Sequence, residues 1–322
     1  DTNFRDPYPL SENVFLVARG AELLLMDAEG NTHAAYQLPG EDVAQGLWCH
    51  EPRLIAPHAR ERVIAPMANL TKATGRLLLT DVYRGRNMAG VNRGDIKKLL
   101  VLESLPKPIN YTGGMDPLTY GGTFTLERVV GTVPVEPDGS AYFELPALRA
   151  FFFVALDEND DSVKRMQSFL TVQPGETTSC VGCHENRTDA VAPRTAPAAL
   201  RRAPSQVTPI DGIPEVFDLP RDVQPILDRH CVGCHDYDAH GEGKGPHAGG
   251  VILTGDRGPI YSHSYYALTL RKQFVDGRND PRSNLPPRSI GAVASPLMAK
   301  LKGDHHGVRA DPHEVALVRY WV

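Results

Sequence analysis

Arg221-Asp222-Val223-Gln224-Pro225-Ile226-Leu227-Asp228-Arg229-His230-Cys231-Val232-Gly233-Cys234-His235 carries two signals in one run. Val223, Ile226 and Leu227 share one face at helical spacing, so the segment predicts a short helix that ends at Cys231. The helix then delivers Cys-x-x-Cys-His. Two thiols three residues apart can add across the two vinyl groups of one haem, and the adjoining imidazole can take the iron. The same pentapeptide occurs at Cys180-Val181-Gly182-Cys183-His184, so four of the five cysteines fall into two identical motifs. A zinc ribbon would close both pairs on one metal across about 15 to 20 residues, whereas 47 residues lie between Cys183 and Cys231. Thioredoxin-like pairs need a βαβ context that these flanks lack. The expectation is two covalently bound haem c groups, at Cys180, Cys183 and His184 and at Cys231, Cys234 and His235. Covalent haem attachment takes place outside the cytoplasm, which predicts a periplasmic or equivalent lumenal location.

Composition narrows the rest. A chain of 322 residues is long for one domain and suits two or three. Hydrophobic residues at 41% and charged residues at 23% are ordinary for a globular protein. Gly and Pro, 29 and 27 of the residues, favour turns and short strands over a helical bundle. A net charge of −5 without a basic stripe argues against nucleic acid. The longest apolar runs, Leu23 to Met26 and Ala150 to Leu156, are far short of the ~20 residues of a membrane span. The start, DTNFRDPYPL, has no export-signal character, and the chain stops at Tyr-Trp-Val, so both ends read as cut from a longer protein.

Downstream of the second motif, Asp311-Pro312-His313-Glu314 reads as a helix start, with Asp as N-cap, Pro at the first position and Glu at the third. Leu317, Val318, Trp321 and Val322 give that helix an apolar face. A terminal helix packed on the helix before Cys-x-x-Cys-His resembles small c-type cytochromes, so residues 214–322 predict an α-helical cytochrome c domain. Met298, His305 and His306 are candidate sixth ligands. Leu297 and Leu301 flank Met298 and suggest core packing, so His305 is the first choice and His306 the second, beside Gly307. A bis-His iron has no open position and transfers electrons.

The first motif has a different setting. Gly131 to Pro146 alternates and turns at Asp138-Gly139, a hairpin signal. Phe151 to Leu156 reads as the next strand, with an acidic turn at Asp157 to Asp161 that lacks the Gly and terminal Glu of a calcium loop. A Pro/Ala-rich linker occupies residues 188–213. The Gly-rich stretch at 240–250 lacks a phosphate-binding pattern and reads as a loop.

The strings DPYPLSENVFLVARG (6–20), TDVYRG (80–85), VNRGDIKKLLVLES (91–104), GTVPVEPDGSAYFELPA (131–147), VQPGETTSCVGCHENR (172–187) and VQPILDRHCVGCH (223–235) resemble the hydrazine synthase alpha subunit and its dihaem relatives. The resemblance implies a multidomain β plus α fold, with residues 1–45 as a terminal β-propeller blade and 46–187 as a β-rich middle domain carrying haem one. It also implies, in hydrazine synthase itself, an open catalytic haem bound by a Tyr shortly after the motif, while the motif His turns to a zinc shared with a distant Cys. Here Thr188 stands four residues after His184 and no Tyr is near, which favours ordinary His184 ligation and argues against hydrazine synthesis. A zinc shared by Cys49 and His184 remains the alternative, beside a buried-thiol reading of Cys49; His50 and His58 read as structural or surface residues, with a distal role at haem one as the alternative. The resulting expectation is a dihaem electron-transfer protein whose first haem is a redox site for small nitrogen compounds, working with a redox partner or sister subunits; a purely electron-transferring or scaffold cytochrome is the competing reading.

Overall fold

The computed structural model describes all residues except 1–2, 58, 107–125, 167, 184–195, 239–240, 243–247, 259, 276 and 278–283. The chain forms two compact units, Asp1–Ala65 and Pro66–Val322.

The first unit is an antiparallel meander of β1 (Arg5–Pro9), β2 (Val14–Arg19), β3 (Glu22–Asp27) and β4 (Thr32–Gln37), in that spatial order. Tight turns join β2 to β3 at Gly20, whose φ of 56° suits a residue without a Cβ, and β3 to β4 through the side chain of Asp27, which accepts from Asn31 N–H at 2.7 Å. A short helix α1 (Gly40–Ala44) follows, and Cys49 is buried with its amide donating to Gly20 O at 2.7 Å.

The second unit is built on two sheets. One pairs β12 (Thr177–Cys180), β5 (Thr74–Leu79) and β8 (Ala141–Pro146) in that order. The other runs β10 (Ser162–Arg165), β9 (Ala150–Leu156), β6 (Lys98–Leu105) and β7 (Leu126–Pro134), with β11 (Leu170–Thr171) added to β9. Between them lies a core that includes Leu77, Val101, Val133, Phe143, Leu145, Phe151 and Phe153. Phe143 and Phe153 meet edge to face at 5.5 Å.

The turn expected at Asp138-Gly139 forms, with Glu136 N–H donating to Ser140 O and Gly139 N–H to Glu136 O, both at 2.8 Å. The strands it joins are not a hairpin. β7 pairs with β6, and β8 pairs with β5, so the chain crosses from one sheet to the other. Pro134 and Pro137 have no N–H to offer a shared ladder, and Val133 and Phe143 bury from opposite sheets into one core. The strand expected at Phe151 to Leu156 is present and pairs with β10 around the acidic turn.

The second face of the larger sheet is also covered. Leu100, Leu102, Val129, Phe152, Val154 and Leu156 pack against Ile210, Ile213, Phe217 and Tyr320. This explains why β9 reads as a continuous apolar run rather than an alternation, since both faces are buried. The described part of the Pro/Ala-rich segment is strapped to the β-region. Thr208 bridges Thr132, Ser205 bridges Phe143, and Ala199 is fully buried.

Past residue 214 the chain is helical in short pieces: α2 (Gln224–His230), α3 (His263–Leu270), α4 (Pro296–Leu301) and α5 (Pro312–Trp321). Val223, Ile226, Leu227, Leu268, Leu301 and Val318 form their common core. The molecule as a whole is β-rich with several sheets and few helices, and the described strands close no barrel. Among the described residues no helix is long and apolar enough to cross a membrane.

Candidate functional site

The second pentapeptide sits where the sequence places it. α2 is preceded by a π-helical turn, Leu219–Val223, capped by Asp218, which accepts from Arg221 N–H. The turn then continues through the cysteines: Cys231 N–H donates to Leu227 O at 2.8 Å, and Cys234 and His235 N–H both donate to Cys231 O at 3.0 Å. Positions i, i+3 and i+4 of a helical turn share a face, so Cys231, Cys234 and His235 point the same way. Leu253 N–H holds His235 O at 2.9 Å. Burial pushes the Cys231 thiol up to about 11, with the Cys234 charge adding to it, so this cysteine is a neutral thiol at neutral pH.

α5 locks this end of α2 in place. Asp311 accepts from His313 and Glu314 N–H, each at 2.9 Å, and Glu314 Oε2 accepts from Asp311 N–H at 2.9 Å, completing the capping box expected from the sequence. The same buried Glu314 carboxylate pairs with Arg229 and meets His230 Nε2 at 2.8 Å. These are the two residues immediately before Cys231.

His305 and His235 come together here. Their ring centroids are 5.9 Å apart and their planes differ by 17°. Lys302 and Arg309 bridge the ends of the loop that carries His305, and Val308 N–H donates to His305 O at 3.0 Å. His306, at φ 48°, is exposed and lies edge to face with His305 at 4.6 Å. Burial first, and then the charges of His306, Lys300 and His235, lower the His305 pKa, which favours the neutral imidazole that a metal ligand must be. Met298 is buried in the helical core, as its neighbours suggested.

The first pentapeptide has another frame. β12 runs parallel to β5 with Cys180 opposite Leu79. Thr80 donates to Cys180 O through both its amide (2.9 Å) and its hydroxyl (3.1 Å), Asp81 N–H donates to Val181 O at 3.2 Å, and Cys183 N–H donates to Arg84 O at 2.7 Å. The two backbones touch: a Cβ on Gly182 would clash with the Arg84 carbonyl, and one on Gly85 with the Cys183 carbonyl. Cys180 and Cys183 are each half-buried. His184 and His58 lie outside the described residues, while Cys49 belongs to the first unit and has its thiol pKa raised by burial.

The model of the hydrazine synthase alpha subunit middle domain matches residues 94–185, from just before β6 through the first pentapeptide. That stretch of the chain is similar to the hydrazine synthase alpha subunit middle domain. A solved structure, Kuenenia stuttgartiensis hydrazine synthase, matches with a TM-score of 0.56 and 18% identity over 82% of this chain and 45% of that chain. The chain thus shares a fold with that structure and spans less than half its length. No curated protein matches the sequence.

The residues present were tested against haem c at the second pentapeptide. Metal–nitrogen distances of about 2 Å put two imidazoles on opposite sides of one ion with centroids roughly 6 Å apart. The His235 and His305 ring centroids, 5.9 Å apart, match that spacing. His235 Nδ1 is also buried with no hydrogen-bond partner among the described residues. The donor types fit: two thiols on one helical turn and two imidazoles at that spacing. Among the described residues no group of three or more His, Cys, Asp or Glu is placed to hold a metal ion. Sequence reasoning missed Gly85, Glu314 as the clamp on Arg229 and His230, and the buried Lys164, because each acts through a contact distant in the chain.

Proposed function

We propose that this hydrazine synthase alpha-like chain is an extracytoplasmic dihaem c-type cytochrome. Cys231 and Cys234 would hold one haem with His235 and His305 as axial ligands, in a helical domain of cytochrome c type. Cys180 and Cys183 would hold the other at the edge of the β-region. The meander of β1 to β4 is read as one propeller blade. Bound haem c supplies reversible one-electron chemistry.

The observation that carries this reading is the His235–His305 pair, parallel within 17° at 5.9 Å beside two thiols of a Cys-x-x-Cys-His turn. What this chain contributes there is positioning. The capping box of α5 and the Glu314 clamp fix the turn, and the bridged loop fixes His305. With His235 and His305 both holding the iron, the group would relay electrons rather than bind substrate. The first group is then the redox site open to a small nitrogen compound, and sister subunits or a redox partner complete the path.

Pyridine haemochrome analysis and intact mass of the exported chain are expected to give two haem groups retained after acid-acetone extraction. His305→Ala is expected to turn one low-spin haem high-spin while the haem count stays at two. A chain without covalent haem would overturn the reading. Two low-spin irons that ignore hydroxylamine and carbon monoxide would remove the nitrogen chemistry and leave an electron carrier.

A further inference from the structure

Gln224 opens α2 at the end opposite Cys231, and its side chain turns inward although it is polar: the residue is 6% exposed. Both N–H donors of its amide and the oxygen are used. Nε2 donates to Leu253 O at 3.0 Å and to Asp228 Oδ1 at 2.7 Å, while Oε1 accepts from the Ser264 hydroxyl at 2.5 Å. Ser264, near the start of α3, is fully buried, and its amide donates to Thr254 O at 3.2 Å. Gly255 lies so close that a Cβ there would stand 3.0 Å from Gln224 Cγ. Residues 253–255 are therefore pinned to the first turn of α2.

The same short segment holds the far end of the pentapeptide turn. A carbonyl that closes a helical turn has no donor within the turn, and for His235 O that donor is Leu253 N–H, at 2.9 Å. Leu253 is thus bonded at both backbone groups, its oxygen to Gln224 and its nitrogen to His235, and its side chain is buried in the helical core. Burying a primary amide is costly unless its groups are bonded, as they are here. A satisfied buried network fixes one arrangement of the segments it joins, where apolar packing alone tolerates several. What is fixed here is the backbone of the residue read above as an axial ligand.

We propose that Gln224 is a positioning residue for His235, which through Leu253 sets how that imidazole is presented to the second haem. The inference rests on the haem reading given above and uses the second pentapeptide alone. Outer partners of a metal-bound histidine orient its ring and tune its donor strength. The signature is spectroscopic, because the angle between two axial imidazoles sets the g-values of a low-spin ferric haem, and the strength of its axial bonds sets its midpoint potential.

The test is electron paramagnetic resonance and optical redox titration of the dihaem chain, unaltered and with Gln224→Met, Ser264→Ala or Leu268→Ala. The His305→Ala variant marks which signal belongs to the second site. Gln224→Met keeps the length of the side chain and removes its hydrogen bonds. Ser264→Ala removes one bond of the network and keeps the proposal testable where the first variant does not fold. Leu268, 3% exposed, packs in the same core, so Leu268→Ala loosens that core without removing a bond of the network. The expected result is a shift of the second site's g-values and midpoint in Gln224→Met and a smaller shift of the same sign in Ser264→Ala. Leu268→Ala is expected to lower the melting temperature and to leave both signals in place. Two outcomes overturn the proposal: signals that stay put in Gln224→Met, or in Ser264→Ala where the former does not fold, with both haems attached; or Leu268→Ala moving them as far as Gln224→Met does. An unaltered chain whose Cys231 and Cys234 stay free to alkylation breaks the haem reading itself, which the haem count shows before any spectrum is compared.

Discussion

The pentapeptide Cys-Val-Gly-Cys-His occurs twice in this chain, and its two copies have almost nothing in common beyond their letters. One closes a helix: its amides donate back to Leu227 and Cys231, and its conformation comes from the chain immediately before it. The other closes an edge strand, and its amides and carbonyls are held by Thr80, Asp81 and Arg84, residues about a hundred positions away. The middle glycine shows the difference most sharply. Around Gly233 a Cβ would meet nothing within 4 Å, whereas at Gly182 it would strike the Arg84 backbone. An identical sequence is therefore a local structure in one place and a tertiary one in the other.

The same substitution in the two copies is the strongest way to break this comparison. Gly182→Ala forces two backbones apart and is expected to destabilise the β-region by about 1–3 kcal/mol, with loss of haem from the first site. Gly233→Ala is expected to be neutral, or to stabilise by up to about 1 kcal/mol, because Ala suits a helical turn better than Gly. Thermal melts with haem counts on both variants decide it, and equal effects would sink the distinction.

A smaller effect is expected from Asp311→Ala. Loss of an N-cap costs ~1 kcal/mol, and here it also loosens Glu314, the clamp on Arg229 and His230. Hydrogen exchange is expected to rise in α2 and α5 and to stay unchanged in β5 and β12. Faster exchange in both regions would show that the two pentapeptides are not held independently.

The smallest expected effect is a pH slope. Burial lowers the folded-state pKa of Lys164 below its ordinary 10.5. Between that lowered value and 10.5 the unfolded chain binds more protons than the folded one, so stability rises with pH across this alkaline window. Below the window the full penalty is present and constant. The difference between the unaltered chain and Lys164→Gln in chemical denaturation is expected to grow in favour of the unaltered chain as pH rises through it, and a difference independent of pH would contradict the assignment.

Short-range chemistry was legible in the sequence. The helix before Cys231, the capping box at Asp311 and Glu314, the strand at Phe151 to Leu156, the turn at Asp138-Gly139 and the burial of Met298 all depend on residues within a few positions of one another, where spacing and side-chain type decide the outcome. The destination of that turn was not legible. Whether β7 and β8 pair with each other or with β6 and β5 depends on which core receives Val133 and Phe143, and each alternative satisfies the same alternation. His305 facing His235, Gly85 against Cys183, and Lys164 beneath the loop at Arg84 to Asn87 likewise join residues far apart in the chain. The sequence by itself determined two Cys-x-x-Cys-His motifs and the local form of their flanks, because hydrogen bonds within a turn need only neighbours. Only the tertiary structure decided what surrounds each motif, because burial and close backbone contact are properties of segments that meet after the chain has folded.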